Sequence, residues 1–362
     1  MSSSTEIEYD PYQHVVRFET DAGRRIYRIR CDTLRPLPGY SYLILGKPDD
    51  SSNNREHDFD KHSAILADCG TGENGCDREL LSGLELVRTM YKEDFQPTDI
   101  GRLVVTHAHI DHGGGGKQFL ELTGAEAWCH KYDAGVFERY DERAAVGNRR
   151  FDEFLQHAGV ELERRREIIE AFGFIRGRGK PYSISRRLKD GEQFDGITVC
   201  HTPGHSPGHI CLFVDSSHII LGDHILARTI TQIWPEQIAP HTGYIHYRDS
   251  LGKIEKIAEG KIGLPGHEQI ILDLPMRIDI IRKSHQRRME RILDVLQNSR
   301  EPMSIAQIAR KMYLSQSGVW TLLALTDVGA RIEYLEQIGL ISIANFDELE
   351  LGKSDVFLYT NV

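Results

Sequence analysis

"THAHIDHGGGG", Thr106 to Gly116, is the stretch on which the reading of this chain turns. His107, His109, Asp111 and His112 fall within six positions and four glycines follow them. The run before them, "RLVVT", has strand character, so His107 and His109, two residues apart in extended chain, project to one side and can grip a single metal ion. Asp111 and His112 come where the chain turns towards a helix, and the glycines let the backbone pass close to whatever sits there. These two can grip a second ion beside the first. Imidazole nitrogen and carboxylate oxygen at this spacing suit zinc, and manganese and iron accept similar ligands. A lone HxH would read more simply as solvated or capping histidines; HxHxDH with trailing glycines does not.

Three pieces downstream carry the same signature, a ligand-type side chain beside glycine where a strand-like run ends. "ITVCHTPGHSPGH" offers His205, "HIILGDHI" offers Asp223 and "KIGLPGHE" offers His267. HxHxDH, TPGH, GD and PGH in this order resemble the metallo-β-lactamase-fold hydrolase superfamily over about residues 10–275, with pieces shared by its glyoxalase-II-like and LACTB-two-like branches. The resemblance implies an α/β protein, an αββα sandwich with a dinuclear site along one edge of the paired sheets. Carried over residue by residue, His107, His109 and His205 would hold one divalent ion, Asp111, His112 and His267 the other, and Asp223 would bridge them. Asp111 and Asp223 are then the carboxylates of the catalytic centre. Asp68, in "LADCG", matches the superfamily's Asp-x-Gly, which supports the metals from outside their ligand shell. In the flavin-linked di-iron branch a glutamate stands where this chain has His109, which disfavours an oxygen- or nitric-oxide-reducing role.

Two cations sharing a water lower its pKa towards neutrality and polarise a carbonyl or phosphoryl oxygen, so metal-bound hydroxide is available at pH 7 without a protein nucleophile. The expectation is a dinuclear metal-dependent hydrolase, most simply a zinc one, cleaving a small ester, thioester or lactone. A metal-dependent ribonuclease, or a ligand-sensing regulator with a DNA-binding tail, are the alternatives. His201, His209, His224, His241 and His246 lie near the motifs and read as packed or supporting residues. Cys200 and Cys211 sit in apolar strands and read as core thiols.

Outward from the motifs, "HVVRF", "RIYRIR", "SYLILG" and "SAILADCG" have strand length, with a charged loop, "KPDDSSNNREHDFDKH", among them. "CDRELLSGLELVRTMYKE" is an amphipathic helix before the strand "IGRLVVTH". A helical insert, about 130–180, separates this half from a second strand-rich half that begins at "GITVCH". The hydrolase domain is expected to span 1–275. From 276 to 362 a long helix, "MRIDIIRKSHQRRMERILDVLQ", leads into two further helices and the short strands "ISIAN" and "VFLYT", a small winged-helix-like domain.

At 362 residues, with 40% hydrophobic and 27% charged residues, the chain has an ordinary globular composition. Its apolar runs fall short of the roughly 20 residues that span a bilayer. The first residues lack a signal-peptide pattern and the six cysteines lack a CxxC pair, so a reducing, cytoplasmic setting is expected. A net charge of -10 argues against a polyanion as the main partner. The insert departs locally from that balance, with thirteen Arg or Lys against nine Asp or Glu from Glu138 to Lys189. Such arginines suit phosphate groups, but interleaved carboxylates favour a salt-bridged face. In the tail, Leu325, Val328, Ile332, Leu335 and Ile338 form an apolar stripe, and the polar face carries Asp327, Glu333 and Glu336 against Arg331 alone. That is the wrong sign for a groove-entering helix, so nucleic acid is disfavoured and docking, within the chain or in a homodimer, is expected.

Overall fold

The computed structural model describes residues 14–34, 37–46, 64–73, 75–176, 179–313 and 319–362. The charged loop expected at 47–62 lies outside the described residues. One sheet runs in spatial and sequence order through β1 (Val15–Glu19), β2 (Arg25–Leu34), β3 (Leu37–Leu45), β4 (Ala64–Ala67), β5 (Ile100–Val105), β6 (Glu126–His130) and β7 (Arg186–Leu188). Its first four strands are antiparallel neighbours, and β4 through β7 are parallel. The second sheet has the order β12 (Ile262–Pro265), β11 (His218–Gly222), β10 (Ile210–Val214), β9 (Ile197–His201) and β8 (Gln193–Phe194).

The two sheets face each other across an apolar layer. Val16, Ile26, Ile44, Ile65 and Val104 from the first meet Val199, Ile210, Leu212, Ile220 and Leu264 from the second. Strand alternation sends the intervening residues outward, and these are buried too, because helices cover both outer faces. Tyr27, Leu43, Leu103 and Val105 pack beneath α1 (Cys76–Met90) and, past the short turn α2 (Ile110–Gly113), beneath α3 (Gly116–Thr123). On the other side Cys211, Ile219 and Leu221 lie under α7 (Gly243–Glu255) and the first half of α8 (Leu274–Gln297). This is the expected αββα sandwich.

Between β6 and β7 the insert folds as α4 (Ala134–Glu138), α5 (Tyr140–His157) and α6 (Leu162–Arg176). Several arginines of the 138–189 stretch are held by neighbouring carboxylates: Arg139 with Glu142, Arg149 with Glu153, Arg164 with Glu167, Arg165 with Asp152 and, on β7, Arg187 with Glu138. The salt-bridged reading of this segment therefore describes these groups.

After α8 come α9 (Ile305–Met312), α10 (Val319–Gln337), β13 (Ile341–Ile343), α11 (Phe346–Glu350) and β14 (Tyr359–Asn361), with β13 and β14 antiparallel and Met303 bridged to Tyr359. Ser304 and Gln307 form a capping box that starts α9. The insert and this tail share one core, in which Phe151, Phe154 and Leu155 of α5 pack with Ile292 of α8, Ile308 of α9 and Val328 and Ile332 of α10. α8 therefore belongs to two cores at once, Ile278 and Ile281 under the second sheet and Ile292 and Leu296 in the tail.

The stripe on α10 is buried at Leu325, Val328, Ile332 and Leu335, but Ile338 is 47% exposed, beyond the last turn of the helix. The polar side of α10 is not a solvated face. Asp327 pairs with Arg288 and Arg331, Tyr313 donates to it, and Arg331 reaches His285 Nδ1 at 2.7 Å. Glu333 accepts the backbone N–H groups of Glu236 and Gln237. Its carboxyl is pushed up to about 7, by burial first, against those two hydrogen bonds. Glu333 thus holds the tail to the loop between β11 and α7, and Asp327 and Arg331 hold it to α8. No described helix is long and apolar enough to cross a membrane.

Candidate metal centre

The parallel relations put six strand ends on one rim. β4, β5 and β6 point the same way, as do β9, β11 and β12, and the residues just past these ends are Asp68, Thr106–His107, Asp133, Thr202–His205, Asp223 and Gly266–His267. All seven residues expected to hold metal converge there. His107, His109 and His205 form one group, His107, His112 and Asp223 a second, and Asp111, His112 and His267 a third.

Four of the imidazoles have Nδ1 anchored, which turns Nε2 inward. His112 Nδ1 donates to Asp68 Oδ2 (2.8 Å), His205 Nδ1 to the Gln232 carbonyl (2.8 Å) and His267 Nδ1 to the Pro38 carbonyl (2.9 Å). Thr106 Oγ1 donates to Asp68 and so accepts from His107 Nδ1 (3.1 Å). His109 instead turns Nδ1 inward, 3.0 Å from both His107 Nε2 and His205 Nε2. Ligand atoms of a tetrahedral zinc site with bonds of about 2.0–2.1 Å stand about 3.3 Å apart, so this spacing is that of a ligand shell. Asp223 Oδ2 lies 3.7 Å from His205 Nε2 and 3.5 Å from His267 Nε2, between the two subsites. Asp111 Oδ2 lies 3.2 Å from His267 Nε2.

The residues fit two cations on independent grounds. Asp223 Oδ1 is buried without a hydrogen-bond partner among the described residues. A Cβ at Gly266 would stand 2.5 Å from His112 Cε1 and 2.7 Å from Asp223 Oδ1, so the backbone there leaves room for the ligands alone. The supporting role of Asp68 is equally concrete. It is 2% exposed, sits at φ 61, and also accepts from Thr106 N. Asp68→Asn is expected to weaken binding of the His112-side metal about 10- to 100-fold, read by zinc titration. Unchanged affinity would remove Asp68 from the site.

Charge divides the centre into two halves. Burial, together with neighbouring imidazoles, holds His107 and His109 below their ordinary value, His109 at about 3. For His112 burial acts in the same direction, but Asp223, Asp68 and Asp111 outweigh it and the ring is held well above the usual range. For His267 burial is likewise outweighed by Asp223 and Asp111, which raise it to about 9. This pair therefore holds more proton at neutral pH than ordinary imidazoles would, shared between Nε2 atoms 3.3 Å apart. Metal binding should release proton from this pair, and affinity should fall as pH drops below about 9. Calorimetric titration of zinc in two buffers of different ionisation enthalpy measures that release; no proton release at pH 7 would refute it.

His209 supports the centre, as its Nε2 accepts the Asp223 backbone N–H and its Nδ1 meets Thr202 Oγ1. His224 is buried against Tyr247 and His209, while His201, His241 and His246 stand outside the ligand groups. Two contributors were not apparent from sequence. Gln232 anchors His205 through its carbonyl and donates to Thr326 on α10. Asp133, pushed up to about 6 by burial against three hydrogen bonds, lies beneath the loops of the three-histidine subsite.

The pattern of the family described as the Metallo-beta-lactamase superfamily matches residues 59–267, and the chain belongs to that superfamily. A solved metallo-beta-lactamase family protein from Thermus thermophilus superposes with a TM-score of 0.68 at 19% identity, covering 93% of this chain and 98% of that one. A probable metallo-hydrolase, YqjP, of Bacillus subtilis (strain 168) is 25% identical over 66% of this chain and 76% of its own length. An atrochrysone carboxyl ACP thioesterase of Aspergillus chevalieri is 26% identical over 34% of this chain, and the match spans 39% of that protein. The protein is accordingly an enzyme of the metallo-β-lactamase fold, a hydrolase with a divalent-metal site.

Proposed function

We propose that the chain is a dinuclear zinc hydrolase of a small ester, thioester or lactone, of the glyoxalase-II-like or LACTB-two-like kind. The observation that carries this reading is the placement of Asp223 Oδ2 between two groups of inward-turned ligand atoms, one of three histidines and one of Asp111, His112 and His267. Two cations held there would supply an activated water at neutral pH and polarise an acyl oxygen. The chain's own residues do the rest. Burial holds His107, His109 and His205 below the ordinary imidazole range, which leaves them ready to take a cation; Asp111 and Asp223 would compensate the cations, and Nδ1 anchors fix the rings of His107, His112, His205 and His267. Resemblance to an acyl-carrier thioesterase supports the thioester choice.

The tail is read as a winged-helix module used for docking. Its order of helices and paired strands supports this, as do the carboxylates of α10 that grip the chain's own loop. Ion pairing of the insert's arginines leaves a nucleic-acid substrate the weaker reading. A reducing, cytoplasmic setting is supported by six buried free thiols. A homodimer is proposed with it, and exposed Phe346 and Leu351 offer apolar surface to a second copy. The test is a hydrolysis screen of zinc-loaded protein against thioesters, lactones, phosphodiesters and a β-lactam. Turnover of an acyl thioester or lactone is expected; turnover confined to phosphodiesters would replace this proposal with the ribonuclease one.

A further inference from the structure

Asp133 stands at the start of α4, past the end of β6, where an aspartate ordinarily caps its own helix. It does not. Its carboxylate is turned away and accepts from Ala108 N (2.8 Å), Ser206 Oγ (3.0 Å) and Gly208 N (2.7 Å). All three donors belong to the loops that present His107, His109 and His205. Ala108 lies between two of these ligands and Ser206 follows the third. The residue is 1% exposed, and a buried carboxylate is costly unless such donors compensate it. Gly208 comes so close that a Cβ there would stand 2.5 Å from Asp133 Cγ.

His109 makes this arrangement matter. The other four imidazoles are aimed by an anchor on Nδ1, whereas His109 has no protein partner on Nε2 among the described residues. Its backbone is extended at φ -95 and ψ 150, and among the described residues its ring meets only those of His107 and His205 edge-on. The peptide N–H one residue earlier is the one Asp133 holds.

We propose that Asp133 is a positioning residue for the three-histidine subsite, locking the His107–His109 loop to the His205 loop so that three nitrogens meet at one point. It is the counterpart of Asp68, which holds His112 of the other subsite directly and reaches His107 only through Thr106. The inference rests on the dinuclear reading, and the experiment separates the two.

The probe is zinc alone, titrated into metal-free protein. Wild type should bind two ions. His267→Ala leaves the three-histidine subsite, and Asp133→Asn added to it should lower the affinity of that subsite about 10- to 100-fold. His109→Ala leaves the other subsite, and Asp133→Asn added there should change nothing. Asn has the shape of Asp but places an amide N–H against at least one donor, so only the clamp is disturbed. Gly208→Ala should reproduce the same one-sided loss. If Asp133→Asn does not fold, Ser206→Ala, which removes one donor, carries the test with a smaller loss at the same subsite. Equal weakening at both subsites would make Asp133 merely structural, and no weakening at either would make it irrelevant; each overturns the proposal. Wild type that binds no zinc would overturn the dinuclear reading itself.

Discussion

Asp223→Ala should lower thioester or lactone hydrolysis by about 10³-fold or more, while the metal-free protein still folds. Asp223 Oδ2 stands 3.7 Å and 3.5 Å from the Nε2 atoms of His205 and His267, so on the dinuclear reading its loss would leave nothing to fix the separation of two cations. Charge stabilisation by such a pair is worth several kcal/mol, and each 1.4 kcal/mol or so is a factor of ten in rate. Burial opposes the charge on Asp223, but His267 and His112 outweigh it and hold the carboxyl well below the usual carboxylate range. A depressed folded-state pKa stabilises above the unfolded pKa and loses that contribution as pH falls through the folded one. The metal-free variant should therefore be less stable than wild type at neutral pH, and the gap should close on acidification below the ordinary carboxylate range. His224→Ala removes a side chain packed on Tyr247 and His209 and should cost less than about tenfold in activity. Steady-state kinetics with zinc stoichiometry for both variants decide the matter, and equal losses would mean that His224 belongs to the centre.

The candidate ligands were legible because each lies within a few residues of a strand end and a glycine. His107 and His109 share a face by strand geometry alone, and the αββα layering follows from period-two runs such as Leu103–Val104–Val105, whose faces enter different cores. What stayed hidden depends on distance along the chain. Asp133 lies 25 residues from Ala108 and 75 from Gly208, and "CHKYD" contains nothing that announces a clamp. β6 itself, five residues ahead of the insert, is too short to stand out beside the helices around it. Charge was the less reliable guide. Asp327, Arg331 and Glu333 show in the sequence only as the polar face of a helix, because their partners, Arg288, His285 and the N–H groups of Glu236 and Gln237, come from α8 and the 232–242 loop. The shared core of insert and tail was illegible for the same reason, since Phe154 and Val328 meet only once both segments are folded.

A chain ending at Pro275 should fail to fold cooperatively, despite retaining all seven candidate ligands. α8 begins at Leu274, and the cut removes Ile278 and Ile281, both fully buried under the second sheet. It also removes Arg277, which donates to the Leu226 carbonyl (2.6 Å) and the Thr229 carbonyl (2.7 Å) in the loop after Asp223. Burying a large aliphatic side chain contributes about 1.5–3 kcal/mol, so the two isoleucines alone approach the lower end of the roughly 5–15 kcal/mol that holds a domain together. The cut further strips the insert of its partner, leaving Phe151, Phe154 and Leu155, all at 1% exposure or less, facing water. A chain ending at Gln297 keeps α8 and its Arg277 contacts, and should retain the sandwich while α5 and α6 lose their order. Circular dichroism melting and light scattering separate these cases. The first truncation should aggregate or melt without cooperativity, and the second should melt cooperatively with reduced helix content. A chain ending at Pro275 that melts sharply at the wild-type temperature would show that the tail is an appendage, and would return the regulator reading to consideration.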